Sequence, residues 1–266
     1  MTGPGTKPAT RRPSSTAPCN PSSTPNSSAV GPRVSTPKAD PDTGPPPALE
    51  LSGVERRHRS GRGVGPVDLV LEAATGLAVL GESGSGKSTL LRVVAGLDRA
   101  DRGVVRVAGI DVSRSAPGRR DVAFVSQDLP LYDHLDVATN VHMAISGLDL
   151  DADARARRID ESIEAADAAD FRKRRADRLS GGERARTCLA RILARRPAVA
   201  LLDEPFAGLD RRRRDAVREL VCSTLNAAGT AFLLVTHDPD DLRSVSRSVE
   251  LAPDGRLESV PPTEPS

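Results

Sequence analysis

Aromatic side chains are nearly missing from this 266-residue chain: four phenylalanines, one tyrosine and no tryptophan make up 2% of it. A protein that grips single-stranded nucleic acid needs a series of stacking faces, so that class is disfavoured. Neither sign of charge dominates. Lys and Arg number 38 against 36 Asp and Glu, a formal net charge of +2, so there is no global basic field to recruit nucleic acid. Long apolar runs are absent as well. Nowhere do about 18 apolar residues stand together, as a helix crossing a bilayer requires, and any membrane role is expected to be peripheral. Cysteine is sparse and odd in number: Cys19, Cys188 and Cys222 show no ligand spacing, which points to a reducing compartment and away from a metal site of their own. The 38% of hydrophobic residues suffices for one sizeable core in one or two domains.

What is plentiful at the start is proline, serine, threonine and glycine. Residues 1–46 cannot bury enough apolar surface to offset chain entropy and read as a disordered tail. They hold no apolar run fit for the centre of a signal peptide, and none stands upstream of Cys19, so secretion and lipid anchoring are not expected. From residue 47 to residue 260 short apolar runs alternate with turns, and residues 261–266 read as a second tail.

The densest stretch is GESGSGKST, Gly81–Ser83 through Gly84, Ser85, Gly86, Lys87, Ser88 and Thr89. It fits G-x-x-x-x-G-K-[ST], and the apolar run Leu77–Leu80 before it and LLRVVAGL after it supply the strand and helix that the pattern needs. Glycines let backbone N–H groups, Glu82 included, curl around phosphate oxygens, and the helix adds its positive end. Lys87 is then placed to reach the β- and γ-phosphates of ATP and Ser88 to ligate magnesium. A second glycine turn, Ser180-Gly181-Gly182, precedes a helix whose apolar stripe is Ala185, Cys188, Leu189, Ile192 and Leu193. It offers a hydroxyl and open amides at a positive helix end, either as a second anion site or as an ordinary N-cap. AVALLDEP ends a buried strand in two adjacent carboxylates, and strand alternation is expected to aim Asp203 at the metal and Glu204, as general base, at the water for in-line attack on the γ-phosphorus.

Around these motifs LELSG and VDLVLEA read as antiparallel strands, GVVRVAGIDV from Gly103 as a β-branched ribbon, and DVAFVSQ as a strand ending in polar residues. Asp136–Asp170 is alanine-rich with apolar residues at helical spacing, the centre of a helical insert over about residues 130–178. AVALLDEP and TAFLLVTHD flank a helix in RRRRDAVRELVCSTLNAAG, and Asp254-Gly255 turns a final hairpin. The predicted fold is α/β: a P-loop NTPase core with a parallel sheet, an N-terminal antiparallel β-subdomain and a helical insert subdomain. The tetra-arginine run Arg211–Arg214 reads as a solvated, partly ion-paired helix face. Because the second glycine turn starts from the insert, it is expected to face the γ-phosphate held by another copy, a contact that a symmetric pair repeats twice.

In this order along residues 49–260, GESGSGKST, Gln127 after a strand, LSGGE, LLDEP, the GLD ending at Asp210 and VTHD with His237 resemble the ATP-binding subunit of an ABC transporter. The resemblance implies a head-to-tail dimer, of identical or paired ABC subunits, with two ATP molecules held between the P-loop of one and the Ser180–Glu183 turn of the other. It gives Gln127 the sensing of magnesium and attacking water, Asp210 a place across the dimer interface, and His237 a contact to the γ-phosphate. His58 stands where the family stacks an aromatic residue on adenine, Ser126 where phenylalanine is common, and Glu183 where glutamine is usual. The segment Arg119–Val141 is similar to that of bacterial import ATPases for sugars, polyamines, ferric iron and thiamine, which makes Tyr132, His134 and Leu135 candidates to meet the coupling helix of an integral membrane permease. The short stretch after the last strand matches the compact thiamine- or iron-type members. The resemblance therefore implies ATP hydrolysis with Mg2+ at the cytoplasmic face of the membrane, powering solute import with a solute-binding receptor and no nucleic acid. A soluble ABC ATPase acting on nucleic acid or ribosomes, and a regulatory ATP-binding module, are the alternatives.

Overall fold

Buried residues recur along the first described strand, at Leu49, Leu51 and Val54. The computed structural model describes residues 45–58 and 62–259, so residues 1–44 of the predicted 1–46 tail, and the whole of the 261–266 tail, lie outside the described residues. β1 (Leu49–Arg57) pairs antiparallel with β2 (Gly63–Leu71), Leu49 opposite Leu71 and Val54 opposite Val67. The chain crosses to a second sheet as β3 (Gly76–Leu80), runs through α1 (Lys87–Ala95), and returns as β4 (Arg102–Val107) and β5 (Ile110–Asp111). The first sheet, in the order β2-β1-β4-β5, is the expected antiparallel subdomain.

The second sheet takes β6 (Val122–Val125), β7 (Val199–Asp203), β8 (Ala231–Val235), β9 (Arg247–Leu251) and β10 (Leu257–Ser259) in the order β10-β9-β3-β8-β7-β6. All are parallel except β10, which closes the hairpin predicted at Asp254-Gly255. Strand alternation divides this sheet between two cores. Val199, Leu201, Ala231, Leu233 and Val235 face α1 and the antiparallel sheet. Ala200, Leu202, Phe232 and Leu234 face the helices. Those helices are α2 (Val137–Ala144), α3 (Ala152–Ala165), α4 (Gly181–Arg195) and α5 (Arg211–Ala227). Asp136 and Asp151 cap α2 and α3 by accepting from Thr139 N and Ala154 N.

α3 stops five residues before Asp170, where the alanine-rich pattern runs out. Asp167 turns to a φ of 50°, and the chain folds back so that Ala166, Ala168 and Phe171 are buried. Burial of that ring and two methyls outweighs alanine's preference for continuing the helix. The α4 stripe is buried at all five predicted positions. At the far end of α1, Arg120 is 4% exposed and its Nη1 donates to the carbonyls of Val93 and Val94, both at 2.8 Å, satisfying acceptors that the helix leaves open.

Candidate active site

Register brings the site together. Val79 of β3 lies opposite Val235 of β8, and Val235 lies opposite Asp203 of β7, so three parallel strands end in one row. The ladder continues one residue further on both sides, with Glu204 N donating to Val235 O at 2.9 Å and Thr236 N to Val79 O at 3.2 Å. Everything that follows those strands, the glycine loop, the carboxylate pair and His237, is therefore gathered at one edge of the sheet, where ligands of parallel sheets bind.

The loop is held open by backbone that a side chain would block. Gly86 sits at a φ of 107°, and a Cβ there would meet the carbonyl oxygen of Gly63 at 2.3 Å. A Cβ on Gly81 would meet Leu251 O at 2.6 Å. Lys87, 6% exposed, spans the turn and donates from Nζ to Gly81 O at 2.7 Å and Glu82 O at 2.8 Å. An ammonium has three donors, so one is left for an anion. Burial pushes the pKa of Lys87 down, opposed by the nearby Glu204 and Asp203 carboxylates. Ser85 Oγ is buried with no hydrogen-bond partner among the described residues, a second donor left over in the loop.

The two carboxylates diverge. Asp203 closes its strand 8% exposed and accepts from Ser88 Oγ at 3.1 Å. Burial lifts its pKa, the Ser88 bond works against that rise, and Glu204 adds to it. Glu204 has left the strand, with a φ of 47°. The divergence thus comes from a left-handed turn, not from strand alternation, and such a conformation costs roughly 1–2 kcal/mol for a residue with a side chain. Its Oε2 lies 3.1 Å from Nδ1 of His237, whose ring is largely exposed. His58 reaches the same region: its Nε2 is 3.1 Å from Thr89 Oγ1 at the start of α1. Gln127 is exposed in the turn after β6, whose Val125 pairs with Leu202 one position before Asp203.

A second cluster gathers around the start of α4. Ser180 caps the helix in a reciprocal box: its Oγ accepts from Glu183 N, while Glu183 Oε2 accepts from Ser180 N at 2.9 Å and from Ser180 Oγ at 3.0 Å. Arg174 donates to the other oxygen of Glu183 at 2.8 Å. Gly181 packs on Leu209, next to Asp210, which caps α5 by accepting from Arg213 N at 3.1 Å. Ser180 and Gly181 are exposed. Among the described residues, no hydrogen bond or ion pair joins Ser180–Glu183 or Asp210 to the loop, Asp203, Glu204 or His237. The sequence-predicted residues thus form two groups. Sequence reasoning missed the partners of His237's neighbours, Arg214 and Arg218 on α5, because nothing in a run of arginines tells which ones turn inward.

A glycine loop heading a central parallel strand, with a lysine, a serine–aspartate pair and a glutamate–histidine pair around it, defines a P-loop ATPase. The ABC transporter family model matches residues 64–207. The chain is 42% identical over 191 residues to the thiamine import ATP-binding protein ThiQ of Rhizobium meliloti, covering 71% of this chain and 80% of that protein. It is 36% identical to the spermidine/putrescine import ATP-binding protein PotA of Frankia alni and to the sulfate/thiosulfate import ATP-binding protein CysA of Mycobacterium tuberculosis, covering 83% and 80% of this chain but only 48% and 61% of those proteins. The fold matches a dimeric structure of the ATP-binding cassette MJ0796 in a post-hydrolysis state bound to ADP and Pi, at 28% identity and a TM-score of 0.68, over 79% of this chain and 96% of that one. The chain belongs to the ABC transporter family, as an ATP-binding subunit of the import type, and is an ATPase of that class.

Proposed function

We propose that the chain binds ATP with magnesium at the Gly81–Thr89 loop, pairs head to tail with a second ABC subunit, its own copy or another, and hydrolyses ATP to drive solute import through an integral membrane permease. The observation that carries this reading is the division of the site into two groups. In this reading the first holds the groups that bind and attack a triphosphate. The second presents Ser180 and Gly181 outward. Each group would complete the other across two chains.

In this reading the loop amides from Glu82 to Thr89 and the third donor of Lys87 take the phosphates, with the Ser85 hydroxyl available as a further donor. His58, fixed on Thr89, lies where the base would stack. Glu204 accepts the proton of the attacking water, and His237, whose Nδ1 lies 3.1 Å from its Oε2, steadies that carboxylate and reaches the γ-phosphate. Gln127 orients the water and reports to the permease, and Asp210 lies across the interface. Ser88, Asp203 and Gln127 would hold magnesium. Hard oxygen donors suit that ion, and a buried carboxyl with a raised pKa gains from a cation beside it. Bound there, magnesium would supply charge neutralisation of the β- and γ-phosphate oxygens.

The permease site we place beside β6, where a cleft of about 260 Å³ is lined by Ala123, Phe124, Pro130, Ala144, Arg191 and Ile192. Tyr132 stands exposed next to it, edge-on to His134 and under the Arg191 guanidinium. No described helix is long and apolar enough to cross a membrane. In this reading the chain acts at the cytoplasmic face through its permease, with a solute-binding receptor on the far side. Phosphate release tests the reading: Glu204→Gln should bind ATP yet lose turnover by about 10²-fold or more, and the wild-type rate should rise on reconstitution with the permease. Turnover unchanged by Glu204→Gln would refute the assigned chemistry, and stimulation by nucleic acid or ribosomes in place of a permease would refute the transport role.

A further inference from the structure

His237 has little to hold it in place. Its ring is 63% exposed and, among the described residues, its one ion-pair contact is Glu204, so its position depends on the backbone on either side. Both neighbours are pinned. Thr236, buried, donates from Oγ1 to Asp241 Oδ2 at 2.6 Å and accepts from Asp238 N at 3.0 Å. Asp238 Oδ1 accepts from Asp240 N at 3.0 Å. What anchors this turn to the rest of the protein is a stripe of arginines on α5.

Arg211, Arg214 and Arg218 are spaced i, i+3 and i+7, one face of the helix. They meet Asp240, Asp238 and Asp241 in turn. The rungs are unequal. Arg211 is 90% exposed at 3.9 Å. Arg218 is buried and donates from Nη1 to Asp241 at 3.2 Å, from Nε to Ser244 Oγ at 3.1 Å and from Nη2 to Asp215 at 2.7 Å. Arg214 is mostly buried, pairs through Nη1 with Asp238, and donates from Nη2 to Leu209 O at 3.4 Å. One guanidinium therefore holds the residue after His237 and the residue before Asp210.

We propose that Arg214, backed by Arg218, is a positioning residue for hydrolysis: it fixes the turn that presents His237 to Glu204 and ties that turn to the one ending at Asp210. This rests on the reading that His237 works beside Glu204. Removing the guanidinium leaves Asp238 its bond to Asp240 N and leaves Arg218 on Asp241, but releases the residue next to His237 from α5. Misplacement of a reacting group by about 1 Å can cost on the order of 10²-fold in rate, with substrate binding untouched.

The test is single-turnover ATP hydrolysis and ATP affinity in the full-length protein, with thermal melting alongside. Arg214→Leu should hydrolyse at least about tenfold more slowly with ATP affinity within about twofold. Arg214→Lys, which keeps the charge, should regain most of the rate. Asp238→Asn should lose rate as Arg214→Leu does, and Arg211→Gln, at the exposed rung, should leave the rate unchanged. Added to His237→Ala, Arg214→Leu should cause no further loss, since it acts through the histidine. The inference is overturned if Arg214→Leu hydrolyses at the wild-type rate, if affinity falls by the same factor as rate, if Arg214→Lys restores nothing, or if the double variant is slower than His237→Ala. A wild-type rate in His237→Ala itself would overturn the role of the histidine, a separate failure.

Discussion

Arg120→Met should lower stability far more than it lowers function at moderate temperature. Besides its two 2.8 Å bonds to Val93 and Val94, Arg120 donates from Nε to Ser115 O at 3.1 Å and more weakly from Nη2 to Ser113 O at 3.4 Å. Among the described residues no carboxylate bonds it; its charge faces the carbonyl end of α1, a favourable placement for a cation. Methionine fills similar volume, so the loss is chiefly of hydrogen bonds. Three good charge-assisted bonds at about 1.5–3 kcal/mol each set a gross loss of about 4–9 kcal/mol. A cleft of about 360 Å³ beside Gly96, Arg99 and Ser115 lets water reach part of the freed acceptors. A net cost of about 3–4 kcal/mol remains, which in a domain of this size lowers the melting temperature by roughly 10 °C. Lys87 and Ser88 lie at the other end of α1, so ATP affinity well below the melting point should hold. Calorimetric melting with and without ATP is the assay. A melting temperature within about 2 °C of wild type would refute the argument, as would lost ATP binding in a protein that melts normally.

Gly86→Ala should abolish ATP binding, because its Cβ would lie 2.3 Å from a backbone oxygen at a φ of 107°; a fluorescent nucleotide bound with wild-type affinity would contradict the loop geometry. Glu183→Gln removes a negative charge from the turn proposed to face the γ-phosphate and leaves Arg174 unpaired. Nucleotide-driven self-association should strengthen by about fivefold, the order of 1 kcal/mol expected of one nearby charge in a partly solvated site, and weaker association in sedimentation experiments would count against that placement. Asp238 has its pKa held below the ordinary value by the Asp240 N–H, and further by Arg214. Its stabilising effect is therefore complete above the unfolded value near 3.8 and fades as pH falls through the lower folded one. The denaturation free energies of wild type and Asp238→Asn should converge as pH falls through that window, and a gap that stays constant there would contradict the sign.

Much of the fold was legible because burial leaves a period in sequence. β7 and β8 alternate between two cores, and α4 buries the five residues that its spacing marks. Three things were not legible, each for a physical reason. The end of α3 depends on where Phe171 finds a core, which alanine propensity does not encode. The divergence of Asp203 and Glu204 comes from a left-handed residue that a strand pattern cannot announce. In Arg211–Arg214, only the phase of α5, set where Asp210 caps it, decides that Arg214 turns inward while Arg211 stays in solvent. Likewise one of two adjacent arginines, Arg120, caps α1 and Arg119 remains exposed, a choice made by the packing of Gly96 against that guanidinium. The sequence already set the second glycine turn apart from the first, because it opens a helix that starts from the insert.

That division is the centre of the account, and sedimentation velocity of Glu204→Gln tests it most directly. With ATP and magnesium at saturation the variant should sediment as a dimer, and without nucleotide as a monomer, because in the proposed pairing the Ser180–Glu183 turn takes its anion from a second chain. A variant that stays monomeric with both present would contradict it.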